Sequence, residues 1–244
     1  MDNKPSQWKM FFEVGSTVVM LALAGGLLWS TLQPSNGNSA QAGAPYSPPV
    51  PSDPIEIGDA PVRGSRTAPI AIVEFGDFSC GACGAFAREV EPALRKEYFD
   101  TGRVMFVYKT YPRLGGAGSD TAAASWCAAQ QGKFWQLHDQ WFSLAPPSGR
   151  GAPAPRVNQA AESLQSALQS SGLDMQVIEA CQRGQAVVAA VAAERQQGEM
   201  LEVSGTPTFF FGSVNGQTVK ASEVMLGVRS TQSFRNILNK LVSQ

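Results

Sequence analysis

IAIVEFGDFSCGACGAF, residues 70–86, sets two kinds of pattern side by side. Ile70 to Phe75 is a short apolar run rich in β-branched side chains, as expected of a strand covered on both faces. From Cys80 to Phe99 the apolar residues recur at helical spacing. Phe86, Val90, Leu94 and Tyr98 share one face, among Arg88, Glu89, Glu91 and Lys96. The sequence thus predicts strand, tight turn and helix, with a Cys-X-X-Cys pair where the helix opens.

Working outward, Gly102 stops that helix and Val104 to Tyr108, VMFVY, reads as a second buried strand, completing a βαβ unit. Between Asp120 and Met200 the pattern is helical, with breaks at Gly132, Ala145 to Pro155, Gly172 and Gly184, which predicts four or five helices. Pro207 to Phe211 is a strand and Asn215-Gly216 a hairpin turn. Thr218 to Lys220 is the partner strand and Gln232 to Val242 a closing helix.

A cysteine at a helix N-terminus meets unpaired backbone N–H groups and the positive end of the macrodipole, both of which favour thiolate. Thiolate is the nucleophile and the better leaving group, so Cys80 is the candidate reactive sulfur. Cys83, nearly one turn on, faces inward and resolves or re-forms the bond. Gly81 and Ala82 stand between them. Glu74, between Val73 and Phe75 in a strand expected to be buried, is a carboxylate whose pKa should rise. That makes it a candidate proton acceptor for Cys83, the alternative being a strand-end side chain turned to solvent.

Cys80, Cys83, Cys127 and Cys181 form an even set, read as disulfide chemistry outside the cytosol. A structural zinc site usually pairs two close-spaced couples. Here one couple is close-spaced and His138 is the only histidine, so no metal is expected. Cys127 and Cys181 fall on predicted helices of the helical block, where a bond between them would staple it; the alternative is an electron relay with the Cys80 pair. The aromatics around His138 read as packing and His138 itself as a surface or capping residue. A net charge of -1 leaves no basic footprint for nucleic acid.

Val14 to Leu32 runs without a charge and, at ~1.5 Å per residue, is nearly long enough to cross a ~30 Å hydrocarbon core. Lys4 and Lys9 precede it and no Lys or Arg follows until Arg63, which places residues 1–13 in the cytoplasm and the rest outside. Residues 14–32 are expected to be an uncleaved membrane anchor. A cleaved signal peptide, with Ala40-Gln41-Ala42 as the processing site, and a buried helix of the globular domain are the alternatives. Residues 33–59, rich in Pro, Ser and Gly, read as a flexible linker and 60–244 as the folded domain.

EFGDFSCGACGAF followed far downstream by GTPTFF resembles the DsbA-like branch of the thioredoxin superfamily, from roughly Ile70 to the C-terminus. The resemblance implies an α/β, thioredoxin-like fold with an inserted helical subdomain, here at about 118–202. It also implies a cis Thr206-Pro207 bond against the Cys80 sulfur, with Thr206 free to pair with an incoming peptide. Glu74 matches the buried acid that the family carries six residues before its first cysteine. Members exchange disulfides with exported cysteine-containing proteins and need no cofactor beyond the redox-active disulfide, here Cys80–Cys83. Together with the expected anchor, this gives a monomeric, membrane-tethered thiol-disulfide oxidoreductase expected to introduce disulfide bonds into exported proteins and to be reoxidised by a membrane partner of DsbB or vitamin K epoxide reductase type. One departure bears on direction: strongly oxidising members carry proline and histidine where Gly81 and Ala82 stand. A reductase or isomerase using the same site, or a catalytically idle binding module, are the competing functions.

Overall fold

The computed structural model describes residues 48–112, 117–144 and 157–243. Its centre is a six-stranded sheet built from β1 (Ile55–Glu56), β2 (Val62–Arg63), β3 (Ile70–Gly76), β4 (Val104–Thr110), β5 (Thr208–Asn215) and β6 (Thr218–Leu226), in the order β1-β6-β5-β3-β4-β2. β3 and β4 are parallel and every other pairing is antiparallel. All residues of β3 and β4 are buried, which is why both read as unbroken apolar runs rather than alternating ones.

Helix α1 runs from Gly81 to Phe99, with Phe86–Val90 and Arg95–Phe99 wound in the wider π form. Pro92 has no N–H for the carbonyl four residues back, and the turn before it widens. Phe86, Val90, Leu94 and Tyr98 pack with Ile70 and Ile72 of β3, Phe106 of β4 and Phe209 and Phe211 of β5. Phe234, Leu238 and Leu241 of the last helix, α7 (Thr231–Val242), join the same layer. The opposite face of the sheet carries the alternate residues Ala71, Val73, Phe75, Met105, Val107 and Phe210.

Between the two halves of the sheet lie α2 (Ala117–Gln130), α3 (Phe134–Leu144), α4 (Val157–Ser170), α5 (Met175–Gln182) and α6 (Gln185–Met200), the helical insertion. Its core gathers Ala124, Cys127, Phe134, Leu137, Trp141, Phe142, Leu168 and Ile178 around Phe78 and Cys83. Asp174 caps α5 by accepting from the N–H groups of Gln176 and Val177. At the β5–β6 bulge Gly212 lies so close that a Cβ there would stand 2.0 Å from the Lys220 carbonyl oxygen.

Two expectations need correction. The sequence predicts a linker over 33–59, yet β1 pairs with β6 and Ile55 and Ile57 are buried, so the fold begins inside that stretch. A short apolar pair between Pro54 and Gly58 lacks the length that marks a strand in sequence. His138 is 1% exposed rather than at the surface, enclosed by Phe78, Tyr108, Trp135 and Phe142. The expected anchor at 14–32 lies outside the described residues. Among those that are described, no helix is long and apolar enough to cross a membrane.

Candidate active site

Cys80 is the N-cap of α1, in extended conformation, and its carbonyl accepts from the Gly84 N–H at 3.1 Å. Cys83 is 1% exposed and its Sγ accepts from the Asp77 N–H at 3.4 Å. Both are free thiols, Cys80 partly exposed and Cys83 buried. The Thr206-Pro207 bond is cis, and the Cys80 thiol donates to the Thr206 carbonyl at 3.3 Å. Five of the residues singled out in sequence therefore meet here: Cys80, Gly81, Ala82, Cys83 and Thr206, with Pro207 next in the chain.

The environment splits the two thiols. Hydrogen bonding from Cys83 is the largest influence on Cys80; the Thr206 side chain and the N–H groups of Cys83 and Ala82 add to it. Partial burial opposes them, and the net result brings Cys80 from 9.0 down to about 6. Burial pushes Cys83 well up, and its hydrogen bond to Cys80 and the nearby Glu74 push the same way. One sulfur is thus a thiolate at neutral pH while the other holds its proton.

Glu74 lies beneath them, 1% exposed. Burial, then the charges of Glu91 and Cys80, raise its carboxyl well above the usual range, with a weak hydrogen-bonding influence of Cys83 in the other direction. Its Oε2 has no hydrogen-bond partner. The strand alternation that sends Val73 and Phe75 to the far face turns Glu74 toward α1. A carboxyl kept protonated beside a buried thiol is able to pass a proton to that sulfur when it leaves as thiolate, and to take it back.

Cys127 and Cys181 are bonded to each other, with Cα atoms 5.9 Å apart, and tie α2 to α5. Cys127 sits in the apolar cluster that also holds Cys83.

A family model described as Thioredoxin matches residues 56–227, more than half of the chain. The chain belongs to the thioredoxin family. Among relatives of this thioredoxin-family chain, Disulfide bond formation protein D of Bacillus subtilis (strain 168) is 32% identical over 114 residues, 45% of this chain and 46% of that protein. The Na(+)/H(+) antiporter NhaA 1 of Salinispora arenicola (strain CNS-205) is 30% identical over 166 residues, 67% of this chain but 23% of the antiporter. The chain thus spans about a quarter of that antiporter and less than half of the Bacillus protein. Crystal structures of oxidised BdbD from Bacillus subtilis and of Wolbachia pipientis alpha-DsbA1 both superpose with a TM-score of 0.64. The first is 19% identical and covers 79% of this chain and all of that one; the second is 21% identical and covers 76% and 92%. At such identities the likeness is one of fold.

Sequence reasoning missed several members of this thioredoxin-family site. Trp141 donates from Nε1 to the Phe78 carbonyl at 2.6 Å and so braces the turn before Cys80. Arg63, 93% buried, donates to Asp139 at 2.7 Å, stacks on Trp135 at 4.2 Å, and stands 3.1 Å from Glu91. That last approach is off the hydrogen-bond direction, leaving Glu91 Oε1 and Arg63 Nε without partners. Burial pushes Glu91 up to about 7 in spite of Arg63. His138, held neutral by burial, bonds to Asp139 through Nδ1 at 2.9 Å. The residues that could have offered a metal site, Glu91, His138 and Asp139, are thus arranged around a guanidinium. In sequence Tyr108 reads as strand core only. Its register opposite Glu74 could have been drawn by aligning the two predicted central strands.

Proposed function

We propose that this chain is a thiol-disulfide oxidoreductase that introduces disulfide bonds into exported proteins at Cys80 and Cys83. The observation that carries the reading is the pairing of a stabilised Cys80 thiolate at a helix N-terminus with a buried, protonated Cys83 above the raised carboxyl of Glu74. In the oxidised enzyme a substrate thiolate attacks the Cys80 sulfur. The Cys80–Cys83 bond breaks, its electron pair goes to Cys83, and the proton comes from Glu74. The substrate's second thiolate then attacks its own sulfur in the mixed disulfide and releases Cys80 as thiolate. The substrate loses two electrons and two protons; the enzyme holds both electrons as the Cys80 thiolate and the Cys83 thiol, one of the released protons restores Glu74, and the other goes to solvent.

Thr206 and Pro207 are the substrate-binding edge in this reading, with Gly81 and Ala82 leaving the sulfur open. Cys127–Cys181 is a structural bond that keeps the insertion together. The names of the Bacillus relatives and of the structural neighbours support the chemistry. The positive-inside pattern at residues 1–32 supports an anchored protein with its domain on the outer side of the cytoplasmic membrane. A membrane electron acceptor of DsbB or vitamin K epoxide reductase type then returns the pair to the disulfide. Oxidative refolding of a reduced substrate tests it. The oxidised protein should speed disulfide formation and Cys80→Ser should not; equal rates with and without the protein refute the reading.

The Gly81-Ala82 dipeptide supports one rival, a reductase, because it brings no cation to the thiolate. The reduction potential decides: a value near about -120 mV favours the oxidase and one near about -270 mV the reductase.

A further inference from the structure

Tyr108 is fully buried and its hydroxyl has no hydrogen-bond partner. Glu74, its neighbour in the parallel β3–β4 register, carries the complementary orphan, an unpartnered carboxyl oxygen. The unpartnered oxygen is Oε2, and Gly76 lets the other oxygen of the same carboxyl group, Oε1, lie near the phenol. A Cβ there would lie 2.6 Å from Tyr108 Oη and 2.8 Å from Glu74 Oε1, so both oxygens flank the same point on β3. A buried hydroxyl without a partner, beside a buried carboxyl group that itself has an unpartnered oxygen, is uncommon, since each forfeits hydration without return.

The groups facing Glu74 narrow what the phenol can do. From α1 and its N-cap come Cys80, Cys83 and Glu91, and beyond the end of β3 Asp77 faces Tyr108. None of these offers a cation. Opposite Glu74 on β5 is Phe209, which is apolar. Lys109 follows Tyr108 but donates from Nζ to the Ile57 carbonyl at 2.9 Å, among residues of the other face. Arg63 is engaged with Asp139 and Glu91, and His138, packed edge-on against the Tyr108 ring, bonds to Asp139. A cation beside Glu74 would hold it ionised at all times. A neutral donor stabilises the carboxylate only when it forms.

We propose that Tyr108 is a positioning residue for Glu74, its hydroxyl turning to donate to the carboxylate whenever Glu74 has passed its proton to Cys83. This rests on the exchange chemistry proposed above. The phenol keeps its own proton throughout, and burial, by pushing Tyr108 well up, maintains it as a donor.

The test uses the full chain in reduced form, with the carbonyl stretch of protonated Glu74, assigned by its loss in Glu74→Gln, followed by infrared spectroscopy against pH. Tyr108→Phe should raise the midpoint by about one unit or more, a tenfold change in ionisation constant, because a hydrogen bond to a charged group is lost. 3-Fluorotyrosine at position 108, a stronger donor of nearly the same shape, should lower it, and it decides the matter if Tyr108→Phe does not fold. Midpoints that stay at the wild-type value overturn the proposal, as does a fall in thermal stability without movement of the titration. The infrared titration needs no turnover, so failure of the wild type to exchange disulfides refutes the oxidoreductase reading separately.

Discussion

Replacing Cys83 with alanine removes the largest influence that holds the Cys80 thiol near 6. At pH 7 a group with that pKa is roughly 90% thiolate, whereas one at 9.0 is roughly 1%. The gain in thiolate is set against intrinsic nucleophilicity, which falls with pKa at a Brønsted slope of about 0.45, or roughly twentyfold over three units. The wild-type sulfur should therefore react about fourfold faster at pH 7 than an ordinary cysteine, the thiolate fraction winning by a modest margin. Alkylation with iodoacetamide, followed against pH in the reduced protein, reads Cys80 alone because Cys83 is buried. The wild-type profile should have its midpoint near 6. In Cys83→Ala the midpoint should rise by about a unit or more while the α1 N–H groups still act, so the variant alkylates more slowly near pH 6 and faster above pH 9. Two profiles that superpose would refute the role of Cys83 as donor. A wild-type midpoint above 8 would refute the whole electrostatic account of the site.

Glu74→Gln should slow thiol exchange while leaving the Cys80 alkylation profile nearly in place. It should also stabilise the protein increasingly as pH rises above the normal carboxyl range, because a folded-state pKa raised above the unfolded one costs stability there; melting curves from pH 4 to 8 check the sign. Arg63→Met leaves Glu91 buried with its cation gone, for a loss of about 3 kcal/mol in urea unfolding at pH 8. The loss should be smaller near pH 6, where Glu91 escapes by taking a proton. Cys127→Ala with Cys181→Ala opens a loop of sequence separation 54, worth at most roughly 4 kcal/mol of stability by chain entropy. Denaturant midpoints of the two proteins measure it.

The parts of this fold that were legible in the sequence are those decided by local pattern. β3, β4 and the start of α1 follow from apolar periodicity, and Cys80 at the helix opening follows from where that periodicity changes. The parts that were not legible depend on pairing across the chain. β1 and β2 each have two residues and exist through β6 and β4, so no local run announces them. In sequence the aromatics around His138 account for packing by themselves and leave the imidazole reading as a surface or capping group. Only the tertiary arrangement of Arg63 and Asp139 with the aromatic rings gives it a satisfied interior position. Tyr108 was assigned its burial but not its hydroxyl's surroundings, which arise from the register of two strands and from the missing side chain at Gly76.

The sheet begins and ends on strands of two residues, and this bears on the company the proposed enzyme keeps. An unfolded polypeptide in extended form seeks free backbone donors and acceptors, and a long sheet margin would let it stack and recruit further copies. Here β1 covers only Thr218 and Val219 of β6, and β2 only Phe106 and Val107 of β4, so among the described residues most of the outer margin of β6 and β4 has no strand paired to it. Exposed Lys220, on the part of β6 that β1 leaves uncovered, is the kind of charge that discourages an extended chain from adding to the sheet of the proposed enzyme.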